Sequence, residues 1–248
     1  MKQCHEIDCE IIGESMAEAV EVTLDPGEIC ISEPGAMSWM DPEIQMTSTL
    51  TDGSAPDSGF MNSLFSAAKR MVAGESAVVI QYKNIGNKRA KVGFGAPFIG
   101  TMFVLDMSEV GGEIFMQRGA YVAASYGTSI SVAFAGSVTG TFFGGEGLVF
   151  QSIKGDDKVI FHAGGSIIQK DLKAGEELIV DSGSLVGYTK GIEFDAELSG
   201  GLRNMIFSGE GIFNSRVYGV GQGGTVFLQT LPFARLCQEI SRSLPPQN

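Results

Sequence analysis

Short apolar segments, bounded by glycine or by Asp and Asn, recur along this chain at a spacing of about ten residues, which is typical of a sandwich or a jelly roll. Several of them alternate apolar and polar positions, as a half-buried strand does. Strands are predicted at Ala77 to Tyr82, Ser129 to Ala135, Leu148 to Ile153, Lys158 to His162, Leu178 to Asp181 and Thr225 to Thr230. The pattern therefore predicts an all-β protein.

One segment departs from the strand pattern, because its apolar residues fall at helical spacing. They are Phe60, Met61, Leu64, Phe65, Ala68, Met71 and Val72. With Ser58 as a cap and Gly74 at its end, this segment predicts a short amphipathic helix at about residues 58–73. We interpret its apolar stripe as facing the protein core. The alternatives are docking on a partner or peripheral contact with a membrane, for which Lys69 and Arg70 supply little charge.

A phrase of about a dozen residues occurs three times. Its best form runs from Leu24 to Met37 and contains Gly27, Glu28 and Gly35; it returns from Leu172 to Leu185 with Gly175, Glu176 and Gly183. A looser middle copy runs from Leu105 to Tyr121, with Gly111 or Gly112 for the first glycine, Glu113 for the acidic residue and Gly119 for the second glycine. Repetition in a fixed order indicates a chain built from copies of one unit.

Two further phrases repeat in the same order and give the unit boundaries. One consists of Gly74-Glu75, Gly145-Glu146 and Gly209-Glu210, and the other of Gly100-Thr101-Met102, Gly165-Ser166-Ile167 and Gly224-Thr225-Val226. We predict a first unit at 1–103 with the inserted helix, a second at 104–171, a third at 172–231 and a C-terminal tail at 232–248. The repeated glycines and glutamates are interpreted as turn and edge elements.

Composition changes this picture in two ways. Hydrophobic residues make up 44% of the 248 residues and charged residues only 19%, which indicates apolar surface to be covered by other subunits. The net charge of −12 argues against a general binder of DNA or RNA, since that binding depends on Lys and Arg at phosphates. The single basic cluster, Lys83 to Lys91, lacks aromatic residues and is interpreted as a solvated hairpin tip.

The sequence contains few signals for a cellular location or for a cofactor. Its N-terminus lacks the pattern of a secretory signal peptide, and no apolar run is long enough to span a bilayer. The four cysteines, Cys4, Cys9, Cys30 and Cys237, have no dense spacing and fit a reducing compartment. We therefore expect a cytoplasmic protein without a transmembrane segment and without a cofactor.

Candidate catalytic and metal-binding residues are sparse. A cupin-type metal centre needs several histidines, whereas this chain has only His5 and His162. Cys4, His5 and Cys9 would supply three zinc ligands, but neighbouring strand residues point to opposite faces and a fourth ligand is missing. His162 is interpreted as a satisfied strand residue. No metal site and no catalytic residue is predicted.

Trp39 is the one aromatic residue that breaks the internal symmetry, because it stands where the third unit has Gly187. Two interpretations stay open: packing in the core, or marking a binding groove. The repeated glutamates form no pair in one cleft if the units are equivalent, which disfavours general acid and base catalysis by them.

Three segments carry a resemblance to a known family. They are Arg70 to Ser76, Ile179 to Val186 and Val226 to Pro232, and they resemble the altered-inheritance-of-mitochondria family, a domain of unknown function. The resemblance implies three repeats, each similar to a subunit of the tryptophan RNA-binding attenuation protein (TRAP), and homotrimers that form a ring of nine units. It implies no biochemical activity. The chain departs from the family at Ser184, where we expect histidine in other members.

Two functional hypotheses follow. The first is a non-enzymatic, ring-forming oligomer that acts as a scaffold or as a binding module for a protein or small ligand. The alternative is a hydrolase or isomerase that uses acidic residues in a cleft at a unit junction, which requires two close carboxylates with perturbed pKa values. Nucleic-acid binding is not expected.

Overall fold

The described part of the chain folds almost entirely into antiparallel β-strands. The computed structural model describes residues 4–14, 17–49, 79–133, 149–198 and 213–244. Its strands are β1 (Asp8–Ile12), β2 (Ala19–Leu24), β3 (Ile29–Ser32), β4 (Met37–Met40), β5 (Ile44–Thr49), β6 (Val79–Asn84), β7 (Ala90–Gly95), β8 (Gly100–Asp106), β9 (Glu113–Gln117), β10 (Tyr121–Ser125), β11 (Ser129–Ala133), β12 (Phe150–Lys154), β13 (Lys158–Gly164), β14 (Ile167–Leu172), β15 (Glu177–Asp181), β16 (Leu185–Thr189), β17 (Ile192–Leu198), β18 (Phe213–Gly219) and β19 (Gly224–Gln229). One α-helix, α1 (Phe233–Ser243), follows β19, and two short 3-10 helices lie at Met107–Val110 and Ser182–Ser184.

Hydrophobic alternation explains the strands that face a core on one side. In β2, Val20, Val22 and Leu24 are fully buried, whereas the residues between them are half-buried. Because successive strand residues point to opposite faces, this alternation places one face of the strand in the core. β13 is different, since every residue after Lys158 is buried, so this strand is covered on both faces.

The strands form four antiparallel sheets. The first sheet has the order β1-β2-β7-β4 and the second β5-β6-β3-β10-β13-β8. The third has the order β11-β12-β9-β16-β19-β14 and the fourth β15-β18-β17. Each hydrophobic core joins two consecutive sheets: Val22 and Tyr82 belong to the core between the first two, Phe161 and Met116 to the next, and Tyr188 to the last. The four sheets are therefore stacked with three apolar layers between them.

An N-terminal segment ties the first sheet to a distant turn. The backbone N–H of Cys4 donates to the carboxylate of Asp156 (2.8 Å), and that of Ile7 donates to Asp157 (3.1 Å). The ammonium group of Lys158 donates in turn to the carbonyl oxygen of Ile7 (2.7 Å). These bonds satisfy the polar backbone of a segment whose Ile7 side chain is completely buried.

The sequence predicted the strands better than their connections. The all-β class and all six predicted strands are confirmed, with shifts of one to a few residues at their ends. The predicted helix at 58–73 lies outside the described residues. The hairpin predicted at Lys83 to Lys91 is wrong: β6 and β7 belong to different sheets, and the solvated turn between them connects the two layers. α1 lies where we expected only a tail.

Buried Asn84 explains why this turn changes sheets instead of folding back. Its side-chain NH₂ donates to the carbonyl oxygens of Leu24 (2.9 Å) and Lys88 (2.7 Å), and its side-chain oxygen accepts from the N–H of Gly86 (2.9 Å). An amide that closes its own turn and also holds the end of β2 fixes the direction of the chain between two layers.

Within the described residues, no helix is both long and apolar enough to cross a membrane.

Candidate functional site

The two central sheets are each joined in the middle by a contact between two groups of three strands. In the second sheet, β3 pairs with β10; in the third, β9 pairs with β16. The first sheet ends at β4 and the fourth at β15, and among the described strands each of these two is paired on one side only. Unpaired edges present free N–H and C=O groups to which another strand can pair.

Large apolar side chains stand exposed on these two edge strands. Ile179 of β15 is 58% exposed, and Trp39 and Met40 of β4 are 38% and 37% exposed. At the closed contact between β3 and β10 the situation is the opposite, since Ile31 and its partner Ala124 are both fully buried. Ile11 of β1, Met46 of β5 and Ile168 of β14 are exposed on other edge strands as well. However, β4 and β15 are the edge strands that follow glycines of the repeated phrase, and we take these two edges as the candidate functional site.

The indole of Trp39 lies directly over Gly93 of β7, the residue paired with it. A Cβ atom added at Gly93 would lie 2.0 Å from Trp39 Cε2, so only glycine leaves room for the ring in this position. The side chain is thus held flat on the sheet by its neighbour while part of it still faces solvent. Trp39 is therefore partly exposed at this edge and is not among the buried core residues of the described part of the chain.

The repeated phrase folds into the same turn at its first and last copies. Gly27 and Gly175 have φ of 87° and 83°, a conformation that favours glycine. The carboxylate of Glu28 accepts from the N–H of Asp25 (2.7 Å), and that of Glu176 accepts from the N–H of Lys173 (2.8 Å). Both carboxylates are therefore used to close a turn.

The middle copy of the phrase is built differently. Gly111 and Gly112 both have positive φ, and Glu113 lies in β9, where its carboxylate accepts from the hydroxyl of Ser152 (3.0 Å) and meets the ammonium group of Lys154 (3.1 Å). The turn therefore closes without the acidic residue that closes the other two copies.

The second glycine of the phrase also varies between copies. Gly35 and Gly119 have φ of 88° and 86°, whereas Gly183 lies in the 3-10 helix Ser182–Ser184. The remaining predicted motif residues lie outside the described residues; they are Gly74, Glu75, Gly145, Glu146, Gly209 and Glu210.

His162 is buried in β13, and burial lowers the pKa of its imidazole from 6.5 to about 4. The ring stacks edge-on against Phe98, with 4.6 Å between ring centroids. Its Nε2 atom has no hydrogen-bond partner among the described residues, so the histidine is only half satisfied. The imidazole is neutral at physiological pH. In the described part of the chain, no hydrogen bond or ion pair joins its ring to a carboxylate or a nucleophile, as a catalytic pair requires.

The residues considered for zinc are engaged elsewhere. His5 Nδ1 accepts from the N–H of Ile29 (3.2 Å), and Cys4 Sγ lies 3.8 Å from the hydroxyl of Thr128. Burial raises the pKa of the Cys9 thiol to about 11, which disfavours the thiolate that a metal needs. The described part of the chain contains no group of three or more His, Cys, Asp or Glu side chains arranged to hold a metal ion.

One carboxyl group near a closed contact has a raised pKa. Glu33 follows β3, its N–H donates to the carbonyl oxygen of Val122 (2.9 Å), and burial raises its pKa while the charge of Arg118 lowers it. The predicted acid–base site requires a second carboxyl group with a shifted pKa at the same place. Among the described residues, the two carboxyl groups with lowered pKa, Asp106 and Asp156, are held by hydrogen bonds from Ser108 and Cys4 instead.

The interface residues were only partly visible in the sequence. Trp39 is conspicuous in the sequence because it breaks the internal symmetry, whereas Met40, Ile179 and Gly93 do not stand out in the same way. The available signal was the run Leu178-Ile179-Val180, in which both faces of a short strand are apolar although the strand lies at a sheet edge. A strand that is apolar on both faces is expected to be covered on both.

The described residues form an antiparallel β-protein of four stacked sheets, with β4 and β15 among its edge strands. A profile of the family described as mitochondrial biogenesis AIM24 matches residues 9–231, and the chain belongs to this family. It is 22% identical over 227 residues to the uncharacterized protein M6_Spy0233 of Streptococcus pyogenes serotype M6, covering 91% of this chain and 86% of that protein. The crystal structure of protein SPYM3_0169 from Streptococcus pyogenes has a TM-score of 0.73 at 20% identity, covering 96% of this chain and all of that one. That structural likeness concerns the fold.

Proposed function

We propose that the chain is a ring-forming scaffold or binding module, non-enzymatic and cytoplasmic, in which three copies join edge to edge. Each chain would contribute three TRAP-like units, at 1–103, 104–171 and 172–231. The observation that carries the proposal is the pair of open edges, β4 and β15, which are the two halves of a contact that the chain already makes twice internally. The ligand or protein partner of such a ring is unidentified.

The two internal contacts share their register. In the first, Ile31 of β3 lies opposite Ala124 of β10. In the second, Phe115 of β9 lies opposite Tyr188 of β16. Each joins a strand that follows the glycine turn to a strand that follows the second glycine. β15 and β4 are the strands at these two positions that lack such a partner.

A β-bulge at the corresponding position of each strand supports the equivalence of β4, β10 and β16. Each of these strands slips by one residue against its neighbour, β7, β13 or β19. The slips lie between Met37 and Trp39, between Tyr121 and Ala123, and between Leu185 and Gly187. A β-bulge bends the strand that carries it and is typically a retained feature of a fold. Three bulges at equivalent positions therefore favour a common repeating unit.

The shared register gives the expected contact between copies. Ile179 is the third residue after Glu176, as Ile31 is the third after Glu28, and Met40 follows the bulge as Ala124 does. In the assembly, Ile179 of one copy therefore lies opposite Met40 of the next. The two exposed apolar side chains would cover each other, and Trp39 would lie opposite Val180.

Such a contact joins two different surfaces and so leads either to a closed ring or to an endless filament. Closure follows if successive units turn by about 40°, because nine units then complete a circle. Three chains supply those nine units, in agreement with the ring that the family resemblance implies.

The proposal is tested by the mass of the purified protein in solution, measured by sedimentation or mass photometry at micromolar concentration. We expect three times the chain mass of 26.2 kDa. Ile179→Lys and Met40→Lys are each expected to give folded monomers, because a charge on an edge strand blocks pairing. In addition, the fluorescence of Trp39, the only tryptophan, should shift to the red in both variants as its ring becomes solvated.

Ile85→Lys is the matched control. Ile85 is 60% exposed, but it lies in the turn between β6 and β7 and not on an edge strand. This variant should remain trimeric. A wild-type monomer, or trimers that persist in both edge variants, would contradict the proposal.

A further inference from the structure

Helix α1 carries an exposed apolar stripe. Phe233, Ile240 and Leu244 are between 53% and 62% exposed, and Cys237 between them is also exposed. Their spacing of four, three and four residues places them on one face of the helix and its end. A helix of 11 residues is marginal in water without packing, so this face requires a partner.

The helix begins where consecutive sheets converge. Ala17, just before β2 of the first sheet, forms a parallel bridge with Gly100 at the start of β8 in the second sheet. The N–H of Gly165, just before β14 of the third sheet, donates to the carbonyl oxygen of Ile99, just before β8 (3.2 Å). β7 continues into β8 and β13 into β14, but β19 continues into α1. The ring of Phe233 contacts that of Phe98, just before β8, with 4.9 Å between centroids.

In the proposed ring, this convergence of sheets would place the start of α1 near the ring axis. The following inference rests on that ring. Nine positions spaced by about 5 Å, as hydrogen-bonded strands are, lie on a circle of about 7 Å radius. Three helices in mutual contact at about 10 Å lie about 6 Å from a common axis. The helices of three copies therefore emerge at the distance from the ring axis at which they touch.

We propose that the three α1 helices pack against each other on the ring axis through the stripe of Phe233, Cys237, Ile240 and Leu244. The occupant of each exposed stripe is thus the identical stripe of a second copy. The three-four spacing is the one by which helices interlock in coiled coils. The bundle would close one end of the ring's central opening.

A membrane surface is the competing occupant, and the charges disfavour it. The chain carries a net charge of −12, which opposes approach to anionic lipid. Both arginines of the helix already meet carboxylates of their own chain: Arg235 meets Asp181 (3.5 Å) and Arg242 meets Glu239 (2.7 Å). A copy of the same apolar stripe has no such charge to overcome.

The test is cross-linking of the assembled protein through Cys237 with a short bis-maleimide, read on a denaturing gel. Three thiols around one axis allow only one pair per ring, so cross-linked dimers should reach about two-thirds of the chains and no further. Cys237→Ser should give none, since Cys4 and Cys30 are buried and Cys9 is half-buried. As a matched control, Gln238→Cys in the Cys237→Ser background moves the thiol off the stripe and should give little product.

Ile240→Asp separates this inference from the ring itself. It should leave the trimer mass unchanged, because the strand edges are intact, and abolish the Cys237 cross-link. A trimer without the cross-link, or equal cross-linking from position 238, overturns the helix bundle and leaves the ring standing. A monomeric wild type overturns both. Binding to phosphatidylcholine–phosphatidylserine vesicles that Ile240→Asp removes, with no cross-link, assigns the stripe to a membrane instead.

Discussion

Similar residues are covered at the closed contact between β3 and β10 but exposed on the open edges β4 and β15. Ile31 is fully buried at the closed contact, whereas Ile179 on the open edge is 58% exposed. Both are isoleucines three residues after a glutamate that closes a turn of the same geometry. The local structure is therefore the same, and only the neighbour differs.

The comparison teaches that exposure on this chain has to be interpreted position by position. Ile179 and Met40 are apolar on edges that a solitary protein would protect with charge or proline. Ile85, also exposed, lies among lysines and an arginine in a turn, where a single apolar residue needs no explanation. An apolar residue is informative when the backbone beside it is also unpaired.

The largest effect is expected from placing a charge at the closed contact. Ile31→Lys should lower the free energy of unfolding by about 4 kcal/mol or more, because it buries an unpaired ammonium group. Ile179→Lys should change it by less than about 0.5 kcal/mol. Urea titration compares the two, with Met40→Lys present in both so that each protein is monomeric. Similar losses at the two positions would remove the distinction between closed and open contacts.

Acid should next weaken the closed region through the imidazole of His162, a residue whose backbone N–H donates to the carbonyl oxygen of Ala120, just before β10 (2.8 Å). Its pKa is about 4 in the folded protein and about 6.5 when unfolded, so the unfolded chain binds the proton first as the pH falls. This contribution to stability is complete above pH 6.5 and is lost on going down to pH 4, by about 3 kcal/mol in total.

His162→Gln tests the assignment, because glutamine does not titrate. The difference in unfolding free energy between pH 7.5 and pH 4.5 should be clearly smaller in the variant than in the wild type. Carboxyl groups that titrate in the same range contribute equally to both proteins and cancel. An unchanged difference would mean that the imidazole is already accessible to protons in the folded state.

The smallest effect is expected from the turns that precede the two kinds of edge. Glu28→Ala and Glu176→Ala each remove one carboxylate that accepts a backbone N–H, which should cost about 1 kcal/mol. Since β3 follows one turn and β15 the other, equal losses in thermal melts would indicate that the turns are equivalent although the edges they lead to are not. A loss at only one position would argue against a common unit.

The sequence was sufficient for the strands because their signal is local. Alternation in the segment of β2 and apolar runs such as that of β13 mark buried faces without reference to any distant residue. The pairing of β3 with β10 is of another kind, because it brings together residues about ninety positions apart in the chain, as the bond from Tyr121 to Ile31 shows. No periodicity within either segment specifies that contact.

Two errors have particular physical causes. A basic turn between two strands was interpreted as a hairpin, but buried Asn84 turns the chain toward the other layer. α1 was not predicted, although Pro232 precedes it and Phe233, Leu236, Cys237, Ile240 and Leu244 have helical spacing. Its length fits a frayed tail as well as a helix, because a helix of 11 residues is marginal without packing.

The hydrogen bond between Cys4 and Asp156 affects the order in which parts of the chain can fold during synthesis. Cys4 and Asp156 are 152 positions apart, so the ribosome must add all the residues between them before the backbone of Cys4 can form this bond. Until then the first sheet lacks its outermost bonds and stays open to wrong partners. We expect the segment around Cys4 and Ile7 to be among the last parts of the nascent chain to reach its final position.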